Sequence, residues 1–97
     1  MLRHIVMIKF KDEVDLLEVS KILKSMLIKL KTSIDALIDI EVGTNISTRP
    51  SAYDIVLTAD FKNEKGLDLY RIHPEHVKVL DYLKIVMDSA VVVDYII

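Results

Sequence analysis

Two histidines and a tyrosine lie close together in the run Tyr70-Arg-Ile-His-Pro-Glu-His76. Proline favours the first position of a helix, and the residue before it avoids helical angles. The run therefore predicts a helix that ends at about Tyr70, a break at His73 and a second helix from Pro74. His76 is then the third residue of that helix, where free backbone N–H groups oppose a positive charge. A neutral His76 could act as a general base, and Tyr70 could donate a hydrogen bond to a developing enolate oxygen.

The same residues also have a structural interpretation. His73 could cap the second helix, His76 could bond a neighbouring backbone carbonyl, and Tyr70 could pack in the core. His4 lies on an apolar strand face, where a histidine is more often a satisfied core residue than a catalyst. His73 and His76 are three residues apart with Glu75 between them, but no third spaced ligand accompanies them, so no metal site is predicted.

The composition excludes several classes of protein. The 97 residues fit a single domain, residues 1–97, and contain no cysteine, which is consistent with a reducing compartment. A net charge of −2 argues against nucleic-acid binding. The first apolar run ends at Lys9, too early for a signal peptide or a membrane span. We therefore expect a cytoplasmic protein without a nucleic-acid or membrane partner.

Hydrophobic periodicity predicts a β-α-β-β-α-β chain. Alternating patterns indicate strands and three- to four-residue spacings indicate helices. The strands are expected at residues 3–10, 37–46, 53–61 and 90–97, and the helices at residues 14–32, 63–70 and 74–87. Asp12 is the expected N-cap of the first helix, the first strand is expected to be buried on both faces, and Gly43 is expected at a bulge or bend. Right-handed crossovers then give an α+β, ferredoxin-like antiparallel sheet of order 4-1-3-2, with the helices on one face.

The last strand predicts a partner. Val91, Val93 and Tyr95 alternate with Val92 and Ile96, so both faces of an edge strand are apolar. An exposed edge of this kind promotes aggregation unless something covers it. Because 52% of the residues are hydrophobic and so small a domain has a modest core, we expect a homodimer.

Five stretches resemble the stress-responsive α/β-barrel family, also called the Dabb domain. They span the chain and read His4-Ile-Val-Met-Ile-Lys-Phe-Lys11, Glu41-Val-Gly-Thr-Asn45, Tyr53-Asp-Ile-Val56, Tyr70-Arg-Ile-His-Pro-Glu-His76 and Val92-Val-Asp-Tyr95. The resemblance implies a dimeric α/β barrel, in which two sheets face each other and the helices lie outside. It also implies a stress-associated role.

One plant member of this family is a polyketide cyclase that closes a ring by aldol chemistry without a metal or cofactor. The resemblance implies His76 as the base, Tyr70 as its partner and His4 as a pocket residue. Met26 and Ile55 stand where the cyclase has tyrosine and histidine, which puts its substrate and reaction in doubt here. The catalytic candidates are therefore His76 and Tyr70, and the ligand-binding candidates are His4, Met26, Ile55 and His73, with no metal or cofactor.

Three functions remain open from the sequence. The first, which we favour because Met26 and Ile55 are apolar, is a dimer that binds a small apolar molecule without catalysis. The second is a cofactor-independent aldol-type cyclase or lyase that uses His76 and Tyr70. The third is a structural assembly module, which would need no pocket. A cavity that reaches His76 would separate the first two functions from the third.

Overall fold

Four strands and three helices follow one another along residues 1–97 in the computed structural model of the protein. The predicted order is confirmed, with the second crossover divided into two helices at His73. The elements are β1 (Leu2–Phe10), α1 (Leu16–Ser33), β2 (Leu37–Thr44), β3 (Ile55–Phe61), α2 (Glu64–Ile72), α3 (Pro74–Val86) and β4 (Met87–Ile96).

The strands form one antiparallel sheet of order β2-β3-β1-β4, which is the predicted order 4-1-3-2 counted from the other edge. Val6 of β1 lies opposite Leu57 of β3 and Val92 of β4, so these three side chains share one face of the sheet. The helices pack on this face, because Leu23 and Leu27 of α1 belong to the same buried core as Leu57.

The opposite face of the sheet has no helix over it. Met7 is 41% exposed on this face and Val93 is 59% exposed. The expectation that β1 is buried on both faces is therefore wrong for the single chain, since one chain supplies only one layer of helices. Val92 and Ile96, which point to the helix side, are also exposed. The edge strand β4 is thus uncovered on both faces over its outer half.

Two local predictions differ from the structure. Helix α1 begins at Leu16 and is capped by Asp15, whose Oδ1 accepts a hydrogen bond of 3.2 Å from the Glu18 N–H. Asp12 instead lies in a turn before the helix, in which the Val14 N–H bonds the Lys11 carbonyl. The predicted Asp12 cap is therefore wrong by about one turn.

Irregular pairing occurs in both edge strands rather than at Gly43. Gly43 pairs regularly with Val56, and the shift in β2 falls between Leu37 and Asp39, which leaves Ile38 as an extra residue. In β4 a similar shift makes Asp88 the extra residue, because Lys9 pairs with Ser89 and Phe10 with Met87. Each such bulge resets the alternation of side chains along its strand.

The junction between α2 and α3 follows the prediction from Pro74. His73 is extended, with φ −63° and ψ 135°, and caps α3 through Nδ1, which accepts a hydrogen bond of 3.1 Å from the Glu75 N–H. Pro74 is the first helical residue. At the other end, α3 passes into β4 at Met87 without a loop, three residues before the predicted start of that strand.

Candidate functional site

A cavity of about 560 Å³ lies between the helices and the β1–β4 half of the sheet. This volume is within the range of small-molecule sites, which is roughly 300–1,000 Å³. Most of the lining is aliphatic and comes from α1, α3 and all strands but β2. These residues are Val6, Ile8, Leu27, Leu57, Val79, Leu80, Leu83, Met87, Ala90 and Val92. The polar lining consists of His4, Tyr70, Arg71, His76 and Lys84.

Tyr70, on the last full turn of α2, is the most buried member of the polar lining. Only 1% of the residue is exposed, and its ring packs against Phe61 with the centroids 5.0 Å apart. Its hydroxyl oxygen is buried and has no hydrogen-bond partner in the protein. Burial raises the pKa of Tyr70 above its usual value, so the group remains a neutral phenol that can donate a hydrogen bond.

His76, the third residue of α3, lies against the Tyr70 ring with the ring centroids 4.2 Å apart. Its Nδ1 is 3.1 Å from the Arg71 carbonyl oxygen. A carbonyl only accepts, so Nδ1 carries the proton and donates it, and Nε2 keeps a lone pair. Burial is the main reason that the pKa of His76 is lowered from its usual value near 6.5. The imidazole is therefore neutral at pH 7 and chemically able to accept a proton.

His4, on β1, is a second histidine beside Tyr70. The two rings are 6.3 Å apart in an edge-to-face arrangement, and only 8% of His4 is exposed. His4 Nδ1 is 2.5 Å from Asp94 Oδ1, and Arg71 Nη2 is 3.5 Å from Asp94 Oδ2. Asp94 therefore links a cavity histidine to Arg71, the residue whose carbonyl holds the second histidine.

Asp94 was not among the site residues predicted from the sequence. A signal for it was nevertheless present, because Asp94 is the one charged residue among residues 90–97. In the antiparallel pairing of β1 and β4, Asp94 lies directly opposite His4. A lone carboxylate in an apolar strand, facing a histidine on the neighbouring strand, is a candidate functional pair.

Residues 2–97 match the family model of the Stress responsive A/B Barrel Domain, abbreviated Dabb. The chain belongs to the Dabb family. Among curated proteins, none matches its sequence closely. No helix of this Dabb domain is long and apolar enough to cross a membrane.

Solved structures agree with the Dabb fold. A dimeric protein of unknown function with a ferredoxin-like fold from Bacteroides fragilis is 31% identical, with a TM-score of 0.91, over 99% of this chain and 95% of that chain. A dimeric ferredoxin-like protein of unknown function from Thermobifida fusca is 26% identical, with a TM-score of 0.82, over 99% and 90%. A hydroxynitrile lyase from Passiflora edulis is 16% identical, with a TM-score of 0.84, over 99% and 92%. At that identity, the similarity to the lyase shows the fold alone.

Of the residues that the sequence suggested for the Dabb site, the cavity brings together His4, Tyr70 and His76. The other three lie outside its lining. Met26 is half-buried on α1 against the core, and Ile55 is 2% exposed in β3. His73 is engaged as the cap of α3. No group of three or more His, Cys, Asp or Glu side chains is arranged to hold a metal ion.

Proposed function

We propose that this Dabb domain works as a cytoplasmic homodimer and that each protomer binds one small, largely apolar molecule in the cavity beside Tyr70. The observation that carries this proposal is that Tyr70, which lines a mostly aliphatic cavity, has a buried hydroxyl without a protein partner. An unpartnered buried hydroxyl costs about 1–3 kcal/mol. A ligand with a hydrogen-bond acceptor would remove that cost, whereas a purely structural module would gain nothing from it.

The lining suggests what such a ligand looks like. Aliphatic side chains make up most of the cavity, so burial of apolar ligand surface supplies most of the affinity, at about 25 cal/mol per Å². Tyr70 supplies a donor and neutral His76 an acceptor, 4.2 Å apart between ring centroids. An apolar body with at least one carbonyl or hydroxyl group fits this combination. The description of the family supports the further proposal of a role in a stress response.

The homodimer is supported by the uncovered faces of the sheet and by two relatives. Met7, Val91, Val93 and Tyr95 are each at least 40% exposed on the face without helices. The proteins from Bacteroides fragilis and Thermobifida fusca are described as dimeric. Two copies that place these faces together would bury the apolar residues and close an α/β barrel with the helices outside.

A second candidate function is a cofactor-independent, aldol-type cyclase or lyase. The specific observation in its favour is that neutral His76 lies against Tyr70, which pairs a general base with a phenol donor. A hydroxynitrile lyase from Passiflora edulis also has this fold. Met26 and Ile55 lie outside the cavity lining. The departures from the plant cyclase at these two positions therefore do not change the residues that line the cavity around His76 and Tyr70.

Binding can be tested with two probes of matched shape, the ketone hexanophenone and the hydrocarbon hexylbenzene. Methyl-selective NMR of Val79, Leu83 and Val92 should show both probes in the cavity. Tyr70→Phe should weaken the ketone about five- to ten-fold, as expected for one lost hydrogen bond, and should leave the hydrocarbon unchanged.

Tyr82→Phe is the matched control, because Tyr82 packs against the core but does not line the cavity. It should change neither affinity. If neither probe shifts the cavity methyl groups at millimolar concentration, the binding function is refuted. If Tyr70→Phe weakens both probes equally, the hydroxyl plays no part in recognition.

A further inference from the structure

The His4 ring is oriented by a hydrogen bond to a carboxylate, as catalytic histidines often are. Asp94 Oδ1 lies 2.5 Å from His4 Nδ1. A carboxylate only accepts hydrogen bonds, so Nδ1 must carry the shared proton. This contact fixes both the orientation and the tautomer of the ring, because the proton of a neutral imidazole cannot then be on Nε2. Asp94 is itself held from its other oxygen by Arg71.

The second cavity histidine has the same arrangement with a different acceptor. His76 Nδ1 donates to the Arg71 carbonyl, so the neutral His76 ring keeps its lone pair on Nε2. Neither Nε2 has a hydrogen-bond partner in the protein, and neither is sealed from solvent, since Tyr70 Oη is the one buried side-chain polar atom without a partner. Both histidines line one cavity beside Tyr70, and in each ring Nε2 is the nitrogen without a protein partner.

We propose that His4 and Asp94 form a second proton-accepting pair in this cavity, with Asp94 as the positioning residue. The proposal rests on the proposed function, in that the cavity is where the ligand binds. It extends that function because it assigns the site two bases, His4 and His76, instead of one. The ligand class that uses both is an apolar molecule with two proton-donating positions, such as two hydroxyls or a hydroxyl and an acidic C–H.

The tautomer of His4 tests directly whether Asp94 holds the ring as proposed, and a measurement of proton transfer separates this positioning from a merely structural contact. Long-range ¹H–¹⁵N NMR of the ring nitrogens at pH 8 should show His4 with the proton on Nδ1. Asp94→Asn offers an amide N–H to the ring and should move the proton to Nε2, as wrong-tautomer variants of oriented histidines do. Asp68→Asn is the matched control, since Asp68 also pairs with Arg71 but does not contact His4.

A second arm measures proton acceptance with 5-nitrobenzisoxazole, a small apolar probe. The base takes the ring C–H proton, the N–O bond breaks, and a nitrile and a coloured phenolate form; the imidazole then gives its proton to water. No co-reactant is required. His76→Gln should keep a rate above that of buffer, and adding Asp94→Asn or His4→Ala should lower that remaining rate about ten-fold or more.

The outcomes separate the inference from the function on which it rests. Probe binding is measured independently, by the shifts of the Val79 and Leu83 methyl groups. Absence of those shifts counts against the proposed function, while the tautomer experiment still tests the inference. If the His4 proton is on Nε2 in the unmodified protein, or does not move in Asp94→Asn, the inference is wrong. If the rate that remains in His76→Gln is unchanged when Asp94→Asn is added, the inference is also wrong.

Discussion

Tyr70→Phe should stabilise the protein in the absence of ligand, which is unusual for a change at a residue only 1% exposed. The substitution removes a hydroxyl that has no protein partner, so no hydrogen bond is lost. Relief of the desolvation cost is worth about 1–3 kcal/mol. The small void left by the hydroxyl costs a few tenths of a kcal/mol, at about 24 cal/mol per Å³ of cavity, and reduces the gain in stability by that amount. We expect a net gain of about 1 kcal/mol in the free energy of unfolding.

Urea unfolding and thermal melts at one fixed protomer concentration measure this gain, since a dimer's stability depends on concentration. A gain of about 1 kcal/mol corresponds to a rise in Tm of about 4–8 °C for a domain of this size. Tyr82→Phe, a partly buried tyrosine outside the cavity, should change stability by less than about 0.5 kcal/mol. A loss of about 1 kcal/mol in Tyr70→Phe would show that the hydroxyl already has a partner, and would refute the reasoning that reserves it for a ligand.

Three further predictions concern the dimer, the cap and the second histidine. Val93→Asp should convert the dimer to monomer or unfold it, because an unpaired charge in an apolar interface costs several kcal/mol. Ile85→Asp, on the outer face of α3, should leave the dimer intact. Light scattering after gel filtration distinguishes the two outcomes. His73→Ala should lose about 1 kcal/mol of stability, as for other lost caps, with probe affinity unaltered in the methyl NMR titration. Burial lowers the pKa of His76, so below about pH 6.5 the unfolded chain binds a proton that the folded chain does not, and the free energy of unfolding should fall as the pH drops. His76→Gln should flatten that slope in urea titrations between pH 7.5 and 5, and an unchanged slope would mean that His76 titrates normally in the folded protein.

Sheet order and the α2–α3 break could be predicted because each depends on a strong local rule. Alternating apolar runs gave the strands, handedness gave their order, and Pro74 located the break. The inner face of α3 could not be predicted in the same way. Apolar residues occur all round this helix, and the buried ones are Val79, Leu83 and Val86, whereas Ile85 is largely exposed. Periodicity decides a face only when polar residues mark the other side.

The candidate site was predictable where it lies within one segment and not where it depends on pairing between strands. Tyr70 and His76 are close in sequence, so the helix break alone brings them together. Asp94 meets His4 across 90 residues of chain through the register of β1 and β4. That register includes a bulge at Asp88, and no residue type at this position of the sequence indicates a bulge. Met26 and Ile55 were expected in the site because of the family resemblance, and the cavity lining does not include them.

The bulge at Asp88 decides which changes in the length of this part of the chain leave the site unaltered. Side chains alternate along a strand, so whether Asp94 faces His4 depends on an odd or even count of paired residues after α3. The extra residue at Asp88 is not part of that count, which lets both Met87 and Ala90 face the cavity. Deleting Asp88, with the pairing kept from Met87, would remove the bulge, make Ser89 the neighbour of Met87 and leave Asp94 opposite His4. Among related chains, a one-residue gap at this bulge therefore preserves the facing of Asp94, whereas a one-residue gap between Ala90 and Val93 would place Tyr95 opposite His4.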